Sequence, residues 1–199
     1  MIGFSLAYES LDAGLGALIL FGVVQVALFI YGAISGTAPT KRELVGASIA
    51  FIGLLIALWP SEDSETTLVC TALMVVAGLG WAAYTLVGRG AQSPLASTAA
   101  NFVLAMPLLL LLLIGQTLSV SVIGIALAIL AGAITYGMGY ALWYSILPQM
   151  DPSTAAVVQL SVPIIAIVAG AVLLGEIISF PVIIAAGFVV VGIGLAVTK

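Results

Sequence analysis

Apolar residues fall into seven long stretches, each closed by a short polar or glycine- and proline-bearing segment. The stretches are Gly14–Ile34, Leu44–Trp59, Thr67–Gly88, Thr98–Ile114, Val122–Ile146, Thr154–Leu174 and Pro181–Val197. A helix needs about 20 residues to cross a hydrocarbon core of about 30 Å. Lipid offers the backbone no hydrogen-bond partner, so a spanning segment must satisfy itself, as a helix does. The stretches are apolar on every side, whereas strands of a membrane barrel would alternate. The pattern predicts an all-α, polytopic transmembrane helix bundle of seven spans. The second stretch is the shortest and reaches only about 24 Å. It is therefore expected to cross where the bilayer thins, or where its flanking Arg42 and Glu43 snorkel outward.

Composition sharpens this reading. Of 199 residues, 63% are hydrophobic and 6% charged. An average soluble domain carries about 25% charged residues. The mean hydropathy is +1.36. The surface must face lipid, and the bilayer is the first expected partner.

The same composition removes several chemistries. The chain has no histidine and one cysteine, Cys70. Histidine-based acid–base catalysis, histidine-ligated metals and intrachain disulfides fall away. Intramembrane aspartyl proteolysis would need paired aspartates inside the spans, and none are there. A retinal-type receptor needs a helix lysine, but Lys41 and Lys199 lie outside the spans. No nucleotide-binding motif and no basic run for nucleic acid is present. No enzyme, catalytic residue, metal or cofactor is expected, and no nucleic-acid partner.

The charges also suggest an orientation. Lys41, Arg42, Arg89 and Lys199 fall on one side of a seven-span path. The acidic Glu62, Asp63, Glu65 and Glu176 fall on the other. By the positive-inside rule the basic side is cytoplasmic. That puts the C-terminus in the cytoplasm and the chain in a plasma membrane, the inner membrane of a bacterium. No span carries a charge, although proton pumps usually place a carboxylate or histidine in mid-membrane.

The chain also repeats itself. The stretch LDAGLGALILFGVVQVALFIYGAISG, from Leu11, parallels MDPSTAAVVQLSVPIIAIVAGAVLLG, from Met150. Asp12 pairs with Asp151 and Gly36 with Gly175 at one constant offset. With two residues of slippage, Gly46 and Gly53 pair with Gly187 and Gly194. Three spans precede the second copy, but only Met1–Leu11 precede the first. Symmetry therefore predicts roughly 73 further residues, and two copies of five helices in opposite orientations.

At this point the chain resembles the drug/metabolite transporter superfamily, in its EamA-type domain. Gly132–Glu176 is similar to that domain's helices 3 and 4 with the closing pair Gly175-Glu176, and Pro163 lies inside the second of these helices. GFVVVGIGLAV is similar to the last helix, and Gly78–Arg89 to the opening one. The first copy departs from the pattern, with Thr37 in place of glutamate and Val24 in place of proline. The resemblance implies that the seven spans are the remnant of a ten-helix inverted-repeat (5+5) transporter. Residues 1–60 would be the C-terminal part of the first repeat, 61–66 an acidic connecting loop and 67–199 a complete second repeat.

Polar and aromatic residues within the spans are the remaining source of chemistry. Transporter sites lie near the midplane, beside broken helices. Gln25 and Gln159 lie near mid-span in corresponding helices, and Asn101 nearer an end. Pro163 frees a backbone carbonyl and can kink its helix. Trp81 and Tyr84 share a helix face. Tyr136 and Tyr140 form a deeper stripe, while Trp59, Trp143 and Tyr144 suit interfacial anchors. The expected substrate-binding set is Gln25, Trp81, Tyr84, Asn101, Tyr136, Tyr140, Gln159 and Pro163. The glycine pairs are expected to serve close helix packing. The expected activity is secondary transport of a small metabolite or drug-like molecule by alternating access. The alternative is a truncated, non-transporting remnant, or a subunit completed by a partner or as a homodimer.

Overall fold

The computed structural model describes residues 2–8, 11, 13–59, 67–111, 121–174 and 178–198. Asp12, the acidic stretch 61–66, Gly175, Glu176 and Lys199 lie outside the described residues, as does the end of the fourth predicted span. All regular structure among the described residues is helical. It comprises α1 (Ile2–Ala7), α2 (Ala13–Ile34), α3 (Lys41–Ala57), α4 (Leu68–Gly88), α5 (Pro94–Leu111) and α6 (Val122–Leu130). A π-helical segment, Ala131–Met138, leads into α7 (Gly139–Ile146) and a 3₁₀ turn, Leu147–Gln149. Then come α8 (Pro152–Gln159), α9 (Ser161–Leu174) and α10 (Phe180–Val197).

Helix therefore occupies each of the seven apolar stretches. Five segments are long and apolar enough to cross a membrane: Gly14–Ile34, Leu68–Gly88, Val122–Gln149, Pro152–Leu173 and Phe180–Val197. Pro94–Leu110 is a shorter apolar helix. α3, at 17 residues, spans about 25 Å.

Two compact units emerge, Met1–Tyr84 with Asp151–Lys199, and Thr85–Met150. The boundary falls within α4. In the first unit the tightest packing joins α3 and α10, where small residues let the backbones approach. A Cβ on Gly46 would lie 2.4 Å from the Gly192 carbonyl oxygen, and one on Gly53 would lie 2.7 Å from that of Ala185. Leu18 and Phe21 of α2 close this core with Ala50, Leu54, Leu160, Ile164 and Val189.

These contacts expose an internal register. Pro152 opens α8 139 positions after Ala13 opens α2, and Phe180 opens α10 139 positions after Lys41 opens α3. The same spacing separates Gly46 from Ala185 and Gly53 from Gly192. The contacts Gly46–Gly192 and Gly53–Ala185 are thus one contact with its partners exchanged. Ala50–Gly192 and Val189–Gly53 exchange in the same way. An interface in which i meets j and j meets i has two-fold character. Residue numbers rise along α3 as they fall along α10, so the two helices run antiparallel.

The register corrects the slipped glycine pairing read from the sequence. Nothing lies within 4 Å of a Cβ built on Gly187 or Gly194. The glycine of α10 that packs is Gly192, and no slippage is needed. Gly132 and Gly139 also have open space at Cβ.

In the second unit α5 packs on α7. Tyr144 is its centre. Its ring lies against Gly88, where a Cβ would fall 2.3 Å away, and its hydroxyl accepts from Asn101 Nδ2 at 3.2 Å. The Arg89 guanidinium Nε donates to the Met150 carbonyl at 3.1 Å. Tyr144 is 1% exposed, so it is a core residue and not the interfacial anchor expected from its place near a span end.

Candidate substrate site

The predicted sixth span is interrupted at one residue, Leu160, between α8 and α9. Leu160 itself keeps right-handed helical dihedrals (φ −65°, ψ −13°), so the break is a local distortion within one span. Pro163 accounts for the break. It has no N–H to give to the carbonyl of Gln159, four residues back, and its ring crowds that carbonyl. The Leu160 N–H bonds instead to the Val157 carbonyl at 3.1 Å, tightening the last turn of α8.

Gln159, at the break, is 4% exposed. Its Nε2 donates to the Ala155 carbonyl at 2.9 Å. Its Oε1 accepts from the indole Nε1 of Trp81. Trp81 stacks on Tyr84, with ring centroids 5.3 Å apart and planes at 18°. Both rings are half-buried. Trp81, Tyr84, Gln159 and the Pro163 break therefore form one group. The i, i+3 spacing of the aromatics was legible in the sequence, but their bond to Gln159 was not.

Gln25 belongs to the same unit. It lies one turn from Phe21 and Leu28 and two turns from Leu18 along α2, on the face whose Leu18 and Phe21 pack against Leu160 and Ile164. It is 8% exposed. Neither its amide nitrogen nor its amide oxygen has a hydrogen-bond partner among the described residues. An unsatisfied buried polar group costs about 1–3 kcal/mol.

Asn101, Tyr136 and Tyr140 belong to the second unit. Asn101 is exposed and bonded to Tyr144. Tyr140 stacks on Phe102 at 6.0 Å and meets Tyr136 edge-on at 5.7 Å. Tyr136 lies in the π-helical segment, a feature frequent at functional sites. The hydroxyls of Thr85 and Thr98 are buried without partners among the described residues. Sequence reading singled out neither.

Sequence reading also misplaced Glu43. It was expected to reach outward, yet it is 7% exposed. Thr40 and Glu43 form a capping box at the start of α3. Glu43 Oε2 accepts from the Thr40 backbone N–H at 2.7 Å and its hydroxyl at 2.9 Å. Its Oε1 accepts from the hydroxyls of Ser153 at 2.5 Å and Thr154 at 3.1 Å. The carboxylate thus clasps α3 to the first turn of α8, where the helix dipole favours negative charge. Burial pushes the carboxyl up, but the bonds from Ser153, Thr40 and Thr154 outweigh it and hold it below its ordinary value of 4.5. The Thr-x-x-Glu spacing is the signal that could have found the cap. Arg42 does point outward and is exposed.

An apolar crevice lined by Ile49, Ile184, Gly187, Phe188 and Val191 runs along the α3–α10 seam. None of the expected site residues lines it. No cluster of three or more histidine, cysteine or acidic residues occurs among the described residues.

The helices and their uncharged, aromatic-lined break define an integral, multi-pass helical membrane protein. The sequence profile of the EamA-like transporter family matches residues 68–198. The chain belongs to that family, within the drug/metabolite transporter superfamily. It is 47% identical over 175 residues to an uncharacterized protein of Pseudomonas aeruginosa, covering 87% of this chain and 61% of the relative. It is 30% identical over 169 residues to an uncharacterized transporter of Archaeoglobus fulgidus, covering 80% of this chain and 59% of the relative. The chain thus spans about three fifths of the length of both. A crystal structure at 16% identity shares the fold with a TM-score of 0.79, over 98% of this chain and 72% of that one.

Proposed function

We propose that the chain carries the substrate-binding part of a secondary transporter for small metabolites or drug-like molecules. The observation that carries this reading is the broken helix α8–α9, with Gln159 at the break and held by Trp81. Discontinuous helices supply main-chain polar groups inside a bilayer, and they are tolerated there when they line a water-filled cavity or are buried in protein. Trp81, Tyr84, Gln25 and Gln159 are the binding residues in this reading, Pro163 their positioning residue. Within the second unit, Asn101, Tyr136 and Tyr140 are separate binding candidates.

The 139-residue register supports two inverted copies, the first ending near residue 60 and the second starting near residue 67. Alternating access would rock these copies about the break. The remaining helices come from a longer chain or from a second copy in a homodimer. The one-sided basic residues support a cytoplasmic C-terminus and a bacterial inner membrane by the positive-inside rule.

Cysteine accessibility tests this reading. Cys70 is replaced by alanine and Gln159 by cysteine, and the membrane-embedded chain is treated with an impermeant methanethiosulfonate. Labelling at position 159 is expected from at least one side, and faster labelling than at Val190→Cys on the exposed face of α10. Equal inertness at both positions would mean that water does not reach the break, and transport through it would be untenable.

A further inference from the structure

We infer that Gln25 determines specificity, and that the transported molecule is uncharged and presents an adjacent hydrogen-bond donor and acceptor, as a carboxamide does. This rests on the break-centred site proposed above and names its ligand class.

Most polar groups near the break are already engaged. The indole N–H of Trp81 is held by Gln159 Oε1, and Gln159 Nε2 by the Ala155 carbonyl. Gln25 differs. Its donor and its acceptor are both without partners among the described residues, at 8% exposure. Buried side-chain polar atoms are satisfied in the large majority of cases, and each exception calls for an explanation. Gln25 shares its face of α2 with Leu18 and Phe21, which pack on Leu160 and Ile164 at the two sides of the break. There Pro163 leaves the Gln159 carbonyl without its helical donor. A buried, unpartnered primary amide thus shares a helix face with the residues that pack on both sides of the break.

A primary amide offers one donor edge and one acceptor edge. Its full complement is a ligand group with both. Charge argues in the same direction. The described apolar helix segments of α2, α4, α8 and α9 carry no Lys, Arg, Asp or Glu. A buried ammonium or carboxylate would lack the pairing that makes its burial tolerable. The 139-residue register places Ile164 at the position corresponding to Gln25, so the pseudo-symmetric frame does not need an amide there.

The test uses the chain in lipid nanodiscs with three matched planar probes: nicotinamide, its anionic acid nicotinate, and the cation benzylammonium. Thermal midpoint and tryptophan emission are read for the wild type, Gln25→Leu and Trp81→Phe. Nicotinamide is expected to shift emission and raise the wild-type midpoint, while both ions do nothing. Gln25→Leu is expected to raise the ligand-free midpoint by roughly 2–4 °C, since it removes an unsatisfied amide, and to abolish the nicotinamide response. If an ion binds, nicotinamide does not, and Trp81→Phe alters that response, the ligand class is wrong although the site stands. If no probe binds and Gln25→Leu lowers the midpoint, Gln25 is an interior bridging residue, and both the class and its part in the site fall.

Discussion

Helices α2 and α3 and their counterparts α8–α9 and α10 use one backbone plan for different chemistry. At a spacing of 139 residues the helix starts coincide, and the caps Thr40 and Ser179 correspond. The small residues of the α3–α10 seam exchange roles. The differences are few and polar. Val24 corresponds to Pro163, and only the second copy breaks. Leu20 corresponds to Gln159, and Gln25 to Ile164. Glu43 corresponds to Val182, so the clasp to the start of α8 has no equivalent at the start of α2, where Gly14 and Leu15 stand in place of Ser153 and Thr154. Small residues and coincident helix starts give the frame common to both halves, and polar residues placed in one copy each, the Thr40–Glu43 capping box among them, make the halves unequal.

The largest effect is expected at the shared frame. Gly46→Val or Gly192→Val would drive a side chain into the backbone of the facing helix. Overpacking of this kind costs about 3 kcal/mol. Gly53→Val, the exchanged partner of Gly192, should cost a similar amount. Unfolding of each variant in mixed micelles checks this. A large cost at Gly46 with none at Gly53 would break the two-fold reading of the seam.

Next comes the position where the copies part. Val24→Pro in the unbroken α2 should cost about 3 kcal/mol, the ordinary penalty of a proline inside a helix. Pro163→Ala should cost far less, because α8 and α9 already tolerate proline there. It should raise helicity by circular dichroism and shift Trp81 emission as the break closes over Gln159. Equal costs at the two positions would mean that residue type does not set the break.

The clasp ranks third. Glu43→Ala leaves the buried hydroxyl of Ser153 and the Thr40 N–H without their acceptor, and should cost about 2 kcal/mol. Val182→Ala, its counterpart, should lose only the smaller term for a trimmed apolar side chain. The clasp also has a pH signature. A carboxyl held below its ordinary value contributes full stability above that value and loses it as pH falls through the folded-state pKa. Stability should therefore be flat above pH 4.5 and drop below it. Glu43→Gln should remove that drop. Val182→Glu should not create one, since no hydroxyls wait at Gly14 and Leu15.

How much of this was legible beforehand follows from what each signal depends on. The helices were readable because apolar length is a local property. The break was half readable: Pro163 announced it, but where the turn would fall depended on how Gln159 and Leu160 pack. Trp81 and Tyr84 announced a shared face by spacing, while the bond to Gln159 joins residues 78 apart and no spacing rule reaches that far. Glu43 was misread because a charge beside an apolar run usually seeks water. Ser153 and Thr154, 110 and 111 residues away, reverse that preference. Tyr144 was misread in the same way, since its burial depends on the missing side chain of Gly88.

The smallest expected effect discriminates best between the two registers. Matching Gly46 and Gly53 to Gly187 and Gly194 keeps a seven-residue spacing of identical residues, and makes Gly187 and Gly194 packing residues. The contacts instead match Gly46 to Ala185 and Gly53 to Gly192, which leaves Gly187 and Gly194 outward. Gly187→Ala should then be neutral or stabilising by about 0.5–1 kcal/mol, the usual gain of alanine over glycine within a helix. Gly194→Ala should behave alike. Gly53→Ala should destabilise despite the same intrinsic gain, because its Cβ meets the Ala185 carbonyl. A destabilised Gly187→Ala would restore the slipped pairing. Opposite signs for one substitution at Gly53 and Gly187 would fix the register from stability alone, and with it which residues of the two copies correspond.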